Sequence, residues 1–233
     1  MLEPSRKETI ASRISALLRD AILRGDLAPG SKINLDRLRE QHDISISPLR
    51  EAVSRLVADG LVEFEDQRGY RVVPVSLENL AEVTTLRAEF EVVALRASIR
   101  RGNLDWESDV LRALYLLTRT ERDSARPETI AAWEAAHSDF HLALIRGCGM
   151  PLLLTFCSVL HNMNDRYRHL YPAPHASGRD VKAEHEEIAM AATGHDSDRA
   201  CAALKAHILK TGEALKRRLA DATSGAGGGA GLP

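Results

Sequence analysis

The chain has 233 residues, with 31 Lys and Arg against 33 Asp and Glu, a formal net charge of −2, and only 4% aromatic residues. That balance excludes a protein that holds nucleic acid by bulk positive charge, and the length allows two modest domains. Cys148, Cys157 and Cys201 show no CxxC spacing, the N-terminal stretch MLEPSRKETIASR is charged, and no apolar run reaches membrane-spanning length, so a cytoplasmic protein with reduced thiols is expected.

In chain order, Ile10, Ile14, Leu17, Leu18, Ala21 and Ile22 form the apolar face of a first helix that stops at Gly25, and Asp26 to Gly30 reads as a turn. Asn34 caps a second short helix running to about His42, with Leu35 and Leu38 facing inward. A third helix is expected to begin at Ser47-Pro48 and end at Gly60. Ser47 can accept from an orphan N–H, Pro48 has no N–H to leave unpaired, and Gly60 can turn left-handed. Leu49, Ala52, Val53, Leu56 and Val57 make its apolar face and leave Arg50, Glu51, Ser54 and Arg55 outside. Val62 and Phe64 then alternate with Glu63 and Glu65, Asp66 to Gly69 turn the chain, and Tyr70, Val72 and Val75 return.

Three short helices and a two-stranded wing, over residues 1–75, read as a winged helix-turn-helix. Arg50 gains nothing from the helix dipole at its position in the first turn. It suits contact with a base edge or phosphate, or else it is a solvated cation or a partner of Glu51 or Asp43. Residues 1–76 hold 12 Lys or Arg against 12 Asp or Glu, so DNA affinity must come from the placement of a few arginines and from dimerisation.

Ser76 can cap a long helix to about Arg101, with Gly102 as its stop, and further helices are expected over Asp105–Arg119, Glu128–Arg146, Pro151–Tyr171, Asp180–Ala192 and Ser197–Leu219. Pro172, Pro174 and Gly194 mark breaks. Residues 76–221 therefore read as an antiparallel six-helix bundle, giving a mostly α protein, and the Gly-rich residues 222–233 as a flexible tail. His137 and His141, four apart, project from one helical face and can chelate one ion. His185 and His207 lie on the last two helices, and ligands converging from facing helices are a known way to build a metal site in a bundle. His161, His169, His175 and His195 are read as ordinary hydrogen-bonded or exposed histidines.

The segments ILRGDLAPGSKI and SISPLREAVSRLVADGLVEFEDQRGYRVVPVS resemble the N-terminal domain of GntR-type transcriptional regulators, and the helical remainder resembles the FadR-type (FCD) effector domain. The resemblance runs from about Ile10 to Leu219. It implies a homodimeric regulator, usually a repressor, on a pseudo-palindromic double-stranded operator. Ser45, Ser47, Arg50, Arg68 and Gly69 would face the DNA. Ile46 stands where many relatives carry Arg, so it would pack on a thymine methyl or face the core.

The resemblance also implies a divalent metal held by His137, His141, His185 and His207, with His137 where Asp is usual. Four imidazoles without a carboxylate leave the centre more positive and favour an anionic effector. Zinc is expected, with nickel, iron or copper as alternatives. The implied effector is a small organic acid, with Arg87 and Arg166 or Arg168 as candidate anion partners, the alternative being that these arginines form surface ion pairs. WESDVLRALYLLTRTE and HSDFHLALIRGCG look like the branch tied to carbon starvation and dicarboxylate catabolism, which points to an acid such as glutarate. Two alternatives stay open. One is a metal-dependent hydrolase, against which Ser138 replaces the Glu of a HExxH site and no GxSxG occurs. The other is a regulator with a purely structural metal.

Overall fold

The computed structural model describes residues 9–123, 126–172 and 179–226. The chain divides after Val75 into two compact units. The first contains α1 (Ile10–Arg24), β1 (Lys32–Ile33), α2 (Leu35–His42), α3 (Ile46–Ala58), β2 (Val62–Glu65) and β3 (Gly69–Val72).

The wing is a three-stranded antiparallel sheet in the order β1-β3-β2, where two strands are expected from sequence. Lys32 faces Arg71 and Ile33 faces Tyr70, while Val62 faces Val72 and Glu65 faces Gly69. β1 has only two residues, too short for any alternation to show. Gly30, at φ 75, donates to Val72 O, and Val72 donates to Ser31 O, both at 2.9 Å.

α3 starts at Ile46 with Ser45 at the N-cap position, two residues earlier than a Ser47 cap before Pro48 suggests. The first four N–H groups of any helix lack an internal partner, so proline is tolerated throughout the first turn and cannot fix where that turn begins. On α1 the buried stripe is Ala11, Ile14, Leu18 and Ile22, whereas Ile10 and Leu17 are exposed. Ile14, Leu18 and Ile22 close one core with Leu49, Ala52, Val53, Leu56, Leu61 and Val72.

The second unit contains α4 (Leu77–Arg101), α5 (Leu104–Arg119), α6 (Pro127–Arg146), α7 (Pro151–Leu170), α8 (Val181–Thr193) and α9 (Ser197–Ala226). Ser76 caps α4 through Asn79 N, Asn103 caps α5 through Trp106 N, and Asp180 caps α8 through Ala183 N. α9 continues to Ala226, into the segment expected to be a flexible tail. Buried Leu215 and Leu219 anchor it, and each further residue of an existing helix adds a hydrogen bond without a new nucleation cost. Residues 227–233 of that tail, together with Pro174 and His175, lie outside the described residues.

α4 packs lengthwise on α9 and against α7, and α8 packs on α9. The α4–α9 approach depends on Gly212, where a Cβ would overlap the buried Thr84 side chain. Thr84 cannot swing away freely, because its hydroxyl donates to Leu80 O at 2.7 Å. Gly212→Ala is therefore expected to destabilise the protein by about 1–3 kcal/mol through overpacking, although alanine is the better helix former. Thr84→Ala in the same chain should recover most of the loss. Urea unfolding of both variants measures this, and a Gly212→Ala protein as stable as the parent would contradict the close packing.

Candidate functional site

In the N-terminal unit the start of α3 is the exposed element. Ser45, Ser47 and Arg50 are exposed, while Ile46 is half-buried and packs against the core. Glu51 pairs with Arg55 at 2.6 Å, and Arg55 also reaches Ser12 Oγ at 2.8 Å. Arg50 thus has neither of the ion pairs weighed for it among the described residues. At the wing tip Gln67 and Gly69 are left-handed, at φ 62 and φ 82. They hold out Arg68, whose side chain is 76% exposed beside Glu65 at 3.3 Å.

The second unit gathers the four predicted histidines. His137 and His141 come from α6, His185 from α8 and His207 from α9, and one ligand nitrogen of each lies within 4.8 Å of the others. All four are buried. His137 Nδ1, both nitrogens of His141 and His185 Nε2 have no hydrogen-bond partner. An orphaned buried polar atom costs about 1–3 kcal/mol, and one nitrogen from each of the four rings, gathered together, fits the donor set of a divalent metal.

Electrostatics keep these rings in the ligand form. Burial pushes His141 down to about 3, against a smaller opposing pull from Glu91. It also lowers His137, followed by the Arg168 charge, and lowers His185, followed by the charge of His207. His207 is lowered by burial too, with Glu184 opposing. Neutral imidazole is what a metal requires.

An outer layer of carboxylates orients two of the rings. His207 Nδ1 lies 2.9 Å from Glu184 Oε2, so a neutral His207 donates there and leaves Nε2 bare. Arg179 in turn grips Glu184, with Nε 2.8 Å from Oε1, and donates to Thr211 Oγ1 and His207 O at 3.0 and 3.1 Å. Burial acts to raise the Glu184 carboxyl, yet Arg179 and His207 hold it well below the usual range. Glu91 Oε2 stands 3.4 Å from His141 Nδ1, and its Oε1 meets His161 Nε2 at 3.0 Å and Arg87 Nε at 2.7 Å. Burial likewise acts to raise Glu91, and Arg87 with His161 outweighs it. Arg87 already neutralises this carboxylate, so Glu91, His141 and His161 serve better as support than as a second cation site.

A cavity of about 710 Å³ opens beside the cluster, with His185 and His207 in its wall. Its lining carries Arg122, Arg168, Arg179, Lys182, Lys210, Arg217 and Arg218 against only two carboxylates, Glu134 and Glu213. Arg168 donates to Glu134 at 2.7 Å and approaches His137 Nε2 at 3.3 Å. Arg122 and Arg168 flank the Trp133 ring, which stacks on His137. Burial lowers the Arg218 guanidinium, and Arg122 and Arg168 lower it further.

Of the three arginines predicted to meet an effector, only Arg168 lines this cavity. Arg87 is buried on Glu91, and Arg166 is fully buried with its guanidinium over the Tyr167 ring. Sequence reasoning missed Arg122, Arg179 and Arg218 and read His161 as ordinary. A signal for Arg218 existed: His207, Thr211, Ala214 and Arg218 repeat at helical spacing on α9.

Two family models match the chain. Residues 10–72 match "Bacterial regulatory proteins, gntR family" and residues 82–210 match the FCD domain. The "Uncharacterized HTH-type transcriptional regulator BphR" of Paraburkholderia xenovorans (strain LB400) is 35% identical over 195 residues, covering 82% of this chain and 79% of that one. The "HTH-type transcriptional repressor GlaR" of Escherichia coli (strain K12) is 32% identical over 196 residues, covering 82% and 89%.

The chain belongs to the GntR family, with an FCD domain.

The solved structure of E. coli McbR/YncC shares the GntR-type fold, at a TM-score of 0.73 and 20% identity over 91% of this chain and 99% of that one. The GntR relatives are transcriptional regulators rather than enzymes, and the winged helix-turn-helix, mostly helical architecture agrees with that family. No helix among the described residues is long and apolar enough to cross a membrane.

The buried neutral rings set a pH dependence. Lowered folded pKa values mean that the unfolded chain, near 6.5 for His, binds protons first, so stability is full above about pH 6.5 and falls on acidification. Carboxylates contribute little until about pH 4.5. Each of the four rings adds a slope approaching about 1.4 kcal/mol per pH unit. The melting temperature of chelator-treated protein should therefore drop steeply from about pH 6.5 to 5, and His185→Gln should flatten the drop. A melting temperature constant across that window would contradict neutral, buried rings.

Proposed function

We propose that this GntR-family regulator is a homodimeric repressor whose operator binding is modulated by a small carboxylate bound at or near a divalent metal in the helical domain. The observation that carries the reading is the convergence of four buried imidazoles, each bringing one ligand nitrogen, beside a cation-lined cavity that His185 and His207 help to wall. His137, His141, His185 and His207 would hold the metal. Four neutral nitrogen donors suit zinc, with nickel, iron and copper next. When bound, the metal supplies a positive centre that attracts a carboxylate oxygen.

Arg168 and the cavity cations would receive the acid, and a dicarboxylate such as glutarate fits the excess of positive charge. Arg87 acts behind the site through Glu91, and Arg166 supports it from within α7. Repression is suggested by the printed role of the GlaR relative. Because His185 and His207 line the cavity, a ligand there can touch the metal's own donors, which favours a sensory metal over a purely structural one.

Ser45, Ser47, Arg50, Arg68 and Gly69 would meet the DNA, with Ile46 mainly supporting the helix from the core side. The first residues of a recognition helix enter the major groove, and a balanced charge leaves specificity to those few contacts. Effector and operator then bind with a shared coupling free energy, so each alters the other's affinity by the same factor.

An electrophoretic shift assay with the upstream region of the protein's own gene tests DNA binding. Arg50→Ala is expected to cost about 1–3 kcal/mol of specific affinity, with the circular-dichroism melt unchanged. Equal affinity for specific and scrambled DNA in the parent protein would refute the reading. For the metal, zinc should raise the melting temperature, and an added small acid should raise it again only when it is the effector. A rise with zinc that no carboxylate extends would assign the metal a structural role.

A further inference from the structure

The charges around the four histidines do not close. Four carboxylates stand next to the rings or their neighbours. Three are already matched, Glu91 by Arg87, Glu134 by Arg168 and Glu184 by Arg179, and burial raises the carboxyl of the fourth, Asp165, near His161 and Arg168, which disfavours its charged form. Arg122 shares Glu134 at 3.7 Å, and Lys210 shares Glu184 at 3.4 Å. Arg217 and Arg218 add two more cations to the same cavity. Glu213, the remaining lining carboxylate, is engaged by Lys216 at 2.7 Å. The four ring donors bring no negative charge. A divalent cation placed among them would face an excess of positive charge, and like charges in a shielded site repel strongly.

Resting on the reading that these four histidines hold a metal, we infer that metal and effector bind as a strongly cooperative pair, each tightening the other. The effector is a dianion, with one end at the cluster beside Arg168 and Arg179 and the other at Arg122 and Arg218. Arg218 is the marker of that outer subsite. Its guanidinium donates to Tyr171 O at 3.0 Å and otherwise stands among Arg122, Arg168, Arg179 and Arg217. Leu117, Ala214 and Leu215 supply apolar wall suited to a short hydrocarbon spacer.

The contact between Arg168 and His137 links the two ligands. Arginine can only donate, so the 3.3 Å approach of Arg168 Nη1 to His137 Nε2 is a hydrogen bond only while Nε2 is the bare ring nitrogen. A metal taking Nε2 displaces Arg168. A metal taking Nδ1 requires the ring proton on Nε2, which again ends the bond. Either route frees an Arg168 N–H at the cavity wall for an anion.

The test is isothermal titration of zinc chloride into chelator-treated full-length protein in a non-coordinating buffer. It is run alone and with succinate, glutarate or adipate, after subtracting zinc–carboxylate association measured without protein. Acetate and the neutral diamide glutaramide are the controls. At least one dianion should tighten zinc binding by about tenfold or more, with acetate and glutaramide giving far less.

Arg218→Met should shrink that factor. His137→Asp, which adds a charged ligand, should tighten zinc binding without any acid and reduce the coupling, with folding of both variants checked by circular dichroism. Zinc affinity that is tight and indifferent to every dianion overturns the pairing while leaving the metal reading in place. Coupling as strong with acetate overturns the dianion class. No zinc binding under any condition overturns both.

Discussion

Four neutral imidazoles enclosed at the meeting of α6, α8 and α9 are the constraint on which the helical unit turns. Their burial makes protonation costly, and their mutual approach, with ring centroids 4.5 Å apart for His137 and His141 and 4.6 Å for His185 and His207, makes it costlier. Rings in that state offer lone pairs rather than charge. Everything polar around them is arranged accordingly: Glu184 fixes the His207 tautomer, Arg179 fixes Glu184, and the Arg87–Glu91 pair closes the far side of His141 with His161. A buried ion pair is a weak source of net stability, so these pairs are better understood as orienting devices than as the glue of the bundle. The glue is apolar, and Gly212 against Thr84 shows how closely α4 and α9 must meet to supply it.

The two units divide the work by different physical means. The N-terminal unit has no charge excess, so in the proposed reading it would meet DNA through shape and a few placed side chains on α3 and at the wing tip. Holding Gln67 and Gly69 left-handed there fixes the direction of Arg68 at a backbone cost that a solvated loop would not bear. Arg55 is tied to Glu51 and Ser12 while remaining at the surface, whereas Arg50 one turn earlier makes no such pair among the described residues. Sorting one arginine into an intramolecular pair and leaving its neighbour exposed lets a charge-balanced domain present a specific surface.

The sequence made the periodic parts legible and the non-periodic parts opaque. Five of the nine helices among the described residues start at a side chain that caps them, because Thr9, Asn34, Ser76, Asn103 and Asp180 act over three residues of chain. The His137–His141 pair was readable for the same reason, since spacing of four fixes a shared face. His161 was not, because its partners Glu91 and Arg87 lie on another helix and only packing brings them together. Of the two readings open for Arg87, effector contact or ion pair, its i,i+4 position relative to Glu91 favours the local ion pair, which the fold buries. β1 is not legible because two residues carry no pattern, and its pairing with Arg71 and Tyr70 across the sheet defines it.

Composition concealed the most consequential property. A net charge of −2 over the chain and an even count in the first 76 residues suggest a protein without strong local fields, yet one cavity gathers seven cationic side chains against two carboxylates. Residues scattered from Arg122 to Arg218 supply them, and no window of sequence contains more than a few. Such a gathering works against folding, since burial and mutual repulsion lower both Arg122 and Arg218. It persists because the apolar faces of α5, α6 and α9 fix the helices regardless of what their cavity-facing residues prefer. Strained electrostatics in a cleft mark a functional site more often than a structural one, and here the strain has one sign. A ligand that relieves it must be negative, and its binding free energy then includes the repulsion that the fold has already stored.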